Sequence, residues 1–166
     1  FASLSVMANQ VWKGLGAGLI GGLVASFAMG SFHSLASKLM DGAAPEGEDS
    51  TIKTASAISE GIAQHKLTPE QKKIAGPAVH FGFGGMTGAA YGVAAELIPE
   101  VTTGYGVPFG TAVWLGAHVI TVPALGLSKP ITESSMPKEA TELAAHFLYG
   151  AVTELCRRWL RNGIMK

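Results

Sequence analysis

The sequence predicts an all-α integral membrane protein, a four-helix bundle with a short amphipathic surface helix between spans one and two. Three runs, 14–37, 74–95 and 101–128, contain no Asp, Glu, Lys or Arg. About 20 apolar residues match the roughly 30 Å thickness of the bilayer hydrocarbon. The composition agrees, because 48% of the 166 residues are hydrophobic, 14% are charged and 22 are glycine. We therefore expect a single membrane domain over 1–166, with spans at about 12–38, 75–98, 105–127 and 139–160.

Span one carries a small residue at every fourth position, which is typical of a helix that another helix approaches closely. It is longer than the apolar core of a usual signal peptide, so we interpret it as a span. Span two repeats the pattern. No Gly-Lys-Ser/Thr follows these glycines, so the pattern predicts helix packing and not a phosphate loop. The packing residues are Gly14, Gly18, Gly22, Ser26, Gly30, Gly84, Gly88 and Gly92.

A polar outer segment, 41–73, connects spans one and two. Within it, apolar residues from Ile52 to Ala63 recur at helical spacing, which predicts a short amphipathic helix on the membrane surface. Thr68, followed by a proline and then by Gln71, predicts the N-terminus of the next helix. His65 is interpreted as a solvated surface histidine.

Span four contains Glu142 and Glu154, and we accept it because it completes a bundle. Three arginines lie at its end, and Lys13 precedes span one on the same side. Four spans bring both termini to one side of the membrane. The excess of positive charge on that side then predicts cytoplasmic termini.

Each of the last three spans carries one histidine, and ionisable groups inside a membrane usually serve a function. Counting about 1.5 Å per residue from the outer ends places these histidines in the outer half of the bundle. Glu142 lies four residues before His146 and therefore on the same helix face. The predicted metal- or proton-binding residues are His80, His118, His146, Glu142 and His33.

A second polar group is predicted near the opposite end of the spans. Glu96 and Glu154 lie at a depth similar to that of Arg157 and Arg158. Charges at such a depth usually pair with one another. We therefore expect an interhelical ion pair among these four residues.

A long and nearly gap-free pattern covers roughly the last ninety residues. It consists of Tyr91-Gly92, Ala95-Glu96, Pro99, Gly106, Gly110, His118, Pro123, Gly126-Leu127, Pro130, Glu142, His146, Glu154, Arg157-Arg158 and Leu160-Arg161. The pattern resembles the YagU-like family of bacterial inner-membrane proteins of unknown function, in which His80 also coincides with a histidine. The resemblance implies a multi-pass location in the bacterial inner membrane and no particular reaction.

Residue chemistry leaves several interpretations of the histidines open. Imidazoles and a carboxylate suit a transition metal such as zinc, iron or copper. Two histidines on facing helices could instead hold haem b, with Lys72, Lys129 or Lys138 near its propionates. Without a cofactor, a ladder of histidines and a glutamate would bind or relay protons. The structural alternative is hydrogen bonding between helices, at roughly 0.6 kcal/mol per contact.

Soluble-enzyme chemistry and nucleic-acid binding find no support in the sequence. It contains no Gly-x-Ser-x-Gly, HExxH or Walker motif, and its formal net charge is zero. The single cysteine, Cys156, cannot form an intrachain disulfide. We expect a protein that is not an enzyme, that contacts membrane lipids, and that self-associates or joins a larger membrane complex. The main alternative to a binding pocket is an accessory or structural subunit of such a complex.

Overall fold

The computed structural model describes residues 2–39 and 49–165, and these residues form five main helices. Two short 3-10 turns, Pro99–Thr102 and Ile131–Glu133, precede the last two helices. The prediction of an all-α fold is confirmed for the described residues. The helices are α1 (Ala2–Leu39), α2 (Ser50–Ala63), α3 (Pro69–Leu97), α4 (Val107–Ala124) and α5 (Met136–Gly163).

Helix α1 lies at the centre and packs against both α3 and α5. Its contact with α3 is made by glycines of both helices, so that backbone meets backbone. A Cβ atom added at Gly88 would lie 2.7 Å from the Cα of Gly22, and one at Gly92 would lie 2.9 Å from the Cα of Gly18. Only glycine fits at such positions. A Cβ at Gly30, in contrast, would meet nothing within 4 Å among the described residues.

Helix α4 packs mainly against α5, again through glycines. A Cβ atom added at Gly150 would lie 2.7 Å from the backbone nitrogen of Gly110. The sequence predicts span three from residue 105, but α4 begins at Val107. The reason is that Tyr105 has a φ of 54°, in the left-handed region, where a helix cannot continue.

The middle of α4, Trp114–Thr121, is a π-helix, which the sequence pattern does not predict. Pro123 lies two residues after its end and has no N–H group to donate to the carbonyl group four residues earlier. The backbone N–H of Val122 instead donates to the carbonyl oxygen of Ala117, five residues back. This wider turn carries His118. Extended π-helical segments are rare and often occur at functional sites.

The short helix α2 packs on the first turns of α3, where a Cβ at Gly76 would lie 2.7 Å from Cγ1 of Ile52. The predicted N-terminus of α3 is confirmed. Thr68 N–H donates to Oε1 of Gln71 at 2.8 Å, and Gln71 N–H donates to the Thr68 hydroxyl at 3.3 Å. Residues 41–48 of the predicted polar segment lie outside the described residues.

Several polar side chains are buried, while many large apolar side chains are exposed. Among the described residues, Glu154, Thr153 and Ser26 are the largest side chains that are fully buried. Large apolar side chains lie outside; Phe27 is 68% exposed and Met86 is 72% exposed. By length and composition, two described helices could cross a membrane, Ser5–Leu39 and Val107–Ala124.

Candidate functional site

Five ionisable side chains from α1, α4 and α5 form a group that we call the His–Glu cluster. The Nε2 atom of His118 lies 3.1 Å from Oε2 of Glu139. The Nε2 atom of His33 lies 3.6 Å from Oε2 of Glu142. The ring centroids of His118 and His146 are 6.1 Å apart. The cluster consists of His33, His118, Glu139, Glu142 and His146.

His146 is the most buried histidine of this cluster, with 8% of its surface exposed. Its Nδ1 atom lies 2.7 Å from the backbone carbonyl oxygen of Glu142, one turn earlier in α5. Because a carbonyl oxygen can only accept a hydrogen bond, Nδ1 carries the proton. In the neutral ring, Nε2 therefore holds the free lone pair.

His80 makes its direct contacts outside the cluster. Its Nε2 atom donates to the carbonyl oxygen of Ser26 on α1 at 3.1 Å. The spacing explains this position: His80 lies four residues before Gly84, so it shares the helix face that α3 presents to α1. There it borders a cavity of about 250 Å³ between the two helices.

Glu139 is the residue of the cluster that the sequence analysis does not single out. It lies at the predicted boundary of span four, where a carboxylate is usually solvated, but it is buried and faces His118. The positions of the acidic residues in the sequence could have indicated Glu139. Glu139, Glu142 and His146 are separated by three and four residues, which places all three on one face of α5.

A layer of aromatic side chains lies on the other side of His146. Tyr149 donates a hydrogen bond to the carbonyl oxygen of Gly84 at 2.6 Å, and its hydroxyl lies 2.8 Å from that of Thr87. The rings of Tyr91 and Phe109 stack with centroids 4.2 Å apart. Phe109 also contacts Tyr149, at 5.8 Å between centroids. This layer joins α3, α4 and α5 and separates two polar groups.

The second polar group is centred on Glu154, which is fully buried. Arg157 binds it with two hydrogen bonds, from Nε at 2.7 Å and from Nη2 at 3.0 Å. Arg158 donates a further hydrogen bond to the same carboxylate. The buried hydroxyl of Tyr91 lies close to Glu154.

Glu96 of α3 extends this group to a second carboxylate. Arg161 binds it from Nε at 2.6 Å and from Nη2 at 3.0 Å, and Nη1 of Arg157 lies 3.7 Å from it. Arg161 also donates to the side chain of Gln10 on α1 at 2.5 Å. Hydrogen bonding to Glu96 raises the pKa of Arg161. We call Glu96, Glu154, Arg157, Arg158 and Arg161 the Glu–Arg cluster.

The arrangement of the ligand-type side chains bears on the predicted metal site. Among residues 2–39 and 49–165, no three His, Cys, Asp or Glu side chains are grouped closely enough to hold a metal ion. The His–Glu cluster instead consists of two separate histidine–carboxylate pairs, with His146 beside one of them. Such pairs suit the binding of protons.

Comparison with known proteins gives two findings. Residues 50–155 match the profile of a family described as "Protein of unknown function (DUF1440)". The chain is also 29% identical over 85 residues to the inner membrane protein YagU of Escherichia coli (strain K12). That alignment covers 51% of this chain and 42% of the length of YagU. No solved structure matches. The family match includes α3, α4 and the histidine-bearing part of α5.

Proposed function

The chain belongs to the DUF1440 family, and from that premise we propose that it is a multi-pass inner-membrane protein whose His–Glu cluster binds protons. The observation that carries the proposal is the pairing of His118 with Glu139 and of His33 with Glu142 beside buried His146.

The membrane placement is supported by the burial of polar side chains and the exposure of large apolar side chains. Burying a carboxylate as large as Glu154 while exposing Phe27 and Met86 is unfavourable in water. In lipid the same arrangement is favourable, because polar groups must find partners inside the bundle. Helices α3 and α5 would then span the membrane together with the apolar helices α1 and α4. Four spans, with the arginines at one end, favour cytoplasmic termini.

The proton site is supported by the chemistry of the two pairs. A neutral histidine beside a carboxylate becomes an ion pair when the ring is protonated, and histidine does so near physiological pH. In surroundings of low dielectric, the attraction within that pair is much larger than in water. The cluster would thus respond to the pH on the outer side of the membrane.

The experiment is a nuclear magnetic resonance titration of ¹⁵N-histidine-labelled protein in lipid nanodiscs between pH 5 and 8. We expect the His118 ring to titrate in the wild type and with a changed midpoint in Glu139→Gln, because that variant removes the charge facing it. His65→Ala is the control, since His65 is exposed and its ring hydrogen-bonds Gln71, on α3. A His118 ring that titrates identically in both proteins would contradict the proposal.

A visible spectrum and elemental analysis of the purified protein test the cofactor alternatives. The wild type is compared with the double variant His118→Ala/His146→Ala. We expect neither a Soret band nor stoichiometric metal in either protein. A band or metal present in the wild type alone would replace the proton proposal with a haem or metal site.

One observation favours the accessory or structural alternative. The His80 ring donates to the backbone carbonyl oxygen of Ser26 on α1, which is how a histidine holds two helices together. Under this alternative the protein self-associates or joins a larger membrane complex. This alternative would be favoured by two results together. The His118 titration would be the same in the wild type and in Glu139→Gln, and the double variant His118→Ala/His146→Ala would no longer assemble.

A further inference from the structure

A lateral groove of about 500 Å³ lies between α3 and α4, apart from the His–Glu cluster. Its walls are almost entirely apolar. Along α3 it extends from Thr87 to Ala94, which corresponds to about 10 Å of helix. Its apolar lining consists of Ala90, Ala94, Val101, Pro108, Phe109 and Val113. The groove therefore offers an apolar surface along which part of a hydrocarbon chain can lie parallel to the helices.

One end of the groove is closed by the turn that connects Val101 with Pro108. Three successive residues of this turn, Gly104, Tyr105 and Gly106, have φ values of 73°, 54° and 80°. A tyrosine rarely adopts this conformation, and such outliers often occur at functional sites. Tyr105 is 70% exposed, and Thr102 at the start of this turn adjoins Val101, which lines the groove.

A positive charge lies at the same end. The guanidinium carbon of Arg158 is 4.7 Å from the centre of the Tyr105 ring, and its Nη2 atom donates to the carbonyl oxygen of Thr102. The Glu–Arg cluster contains three arginines and two glutamates, so one positive charge is in excess. Arg158 is the most exposed of the three, with 38% of its side chain accessible.

We propose that the groove binds an acyl chain of a phospholipid with an anionic headgroup, whose phosphate is recognised by Arg158 above Tyr105. An apolar channel supplies the hydrocarbon site, and the excess guanidinium charge supplies the selectivity for an anion. The inference rests on the membrane placement proposed above, but not on the histidines. It assigns the irregular turn at Tyr105 a role in lipid recognition.

Native mass spectrometry of the full chain in detergent tests the proposal, with dioleoylphosphatidylglycerol and dioleoylphosphatidylcholine as probes. The wild type is expected to bind one phosphatidylglycerol in preference to phosphatidylcholine. Arg158→Gln should reduce that preference about fivefold, as expected for one basic group at a membrane surface. Ala90→Trp places a large ring in the groove and should remove the bound molecule of either lipid. Ala90 is exposed, so this variant should fold.

Two matched controls accompany these variants. Met86→Trp adds the same ring to the exposed surface of α3 outside the groove, and Lys129→Gln removes a positive charge far from Tyr105 along the chain. Both should bind lipid like the wild type. Retention of the bound lipid in Ala90→Trp, or of the full preference in Arg158→Gln, would overturn the proposal.

Extraction of membranes with alkaline carbonate separates this inference from the membrane placement. Protein that washes off the membrane would overturn both. If the protein stays in the membrane but all variants bind the two lipids equally, the proposed lipid site in the groove is wrong, while the membrane placement stands.

Discussion

The two polar clusters both include side chains of α5, and they differ in how their charges are satisfied. In the Glu–Arg cluster, Glu154 is fully buried and Arg157 binds it through two hydrogen bonds. In the His–Glu cluster, each carboxylate faces one ring nitrogen, and the pairs are partly exposed. Arginine keeps its charge at every physiological pH, whereas histidine does not. One cluster is therefore suited to holding the helices together and the other to responding to its surroundings.

The largest expected effect comes from breaking the permanently charged cluster. Glu154→Ala leaves Arg157 and Arg158 beside a buried space without their carboxylate partner. Removing one partner of a buried pair costs about 3–5 kcal/mol of unfolding free energy. Thermal unfolding of the detergent-solubilised protein measures the effect. Glu100→Gln, an exposed carboxylate near the same end, is the control and should change little. A loss below about 1 kcal/mol in Glu154→Ala would show that solvent reaches this cluster.

A smaller loss of unfolding free energy is expected from changes at the contact between α1 and α3. This contact aligns the two helices and so positions both clusters. Gly88→Ala places a methyl group against the backbone of Gly22, which must move away. Overpacking of this kind costs about 1–3 kcal/mol. The control is Gly82→Ala on the same helix, where an added Cβ meets nothing within 4 Å of the described residues. Equal stability of the two variants would mean that the helices separate easily.

Much of the helical structure is predictable from local signals. The charge-free runs predict α1, α3 and α4, and Thr68 with Gln71 predicts where α3 begins. The start and middle of α4 are not predictable in this way. The left-handed conformation of Tyr105 is maintained by neighbouring glycines and by the Arg158 guanidinium above its ring, and this contact joins residues distant in sequence.

The candidate site is predictable only where its residues share one helix. Glu142 and His146 lie on one face by spacing alone, and the same rule would include Glu139. The partners on other helices depend on how each helix is rotated, which hydropathy does not determine. His80 illustrates this, because the glycines that follow it at four-residue intervals turn it toward Ser26 on α1.

The smallest effects are expected within the His–Glu cluster, where they distinguish its two pairs. Glu139→Gln changes the 3.1 Å contact between a buried carboxylate and His118. The free energy of unfolding should change by about 0.6 kcal/mol, and by no more than about 1.7 kcal/mol. Glu142→Gln changes a 3.6 Å contact between more exposed groups and should cost less than about 0.5 kcal/mol. Unfolding measured at pH 5 and pH 8 should reveal a larger pH dependence of the effect for Glu139→Gln. If the two variants behave alike at both pH values, the His118 pair has no special role, and the cluster resembles the other hydrogen bonds between helices.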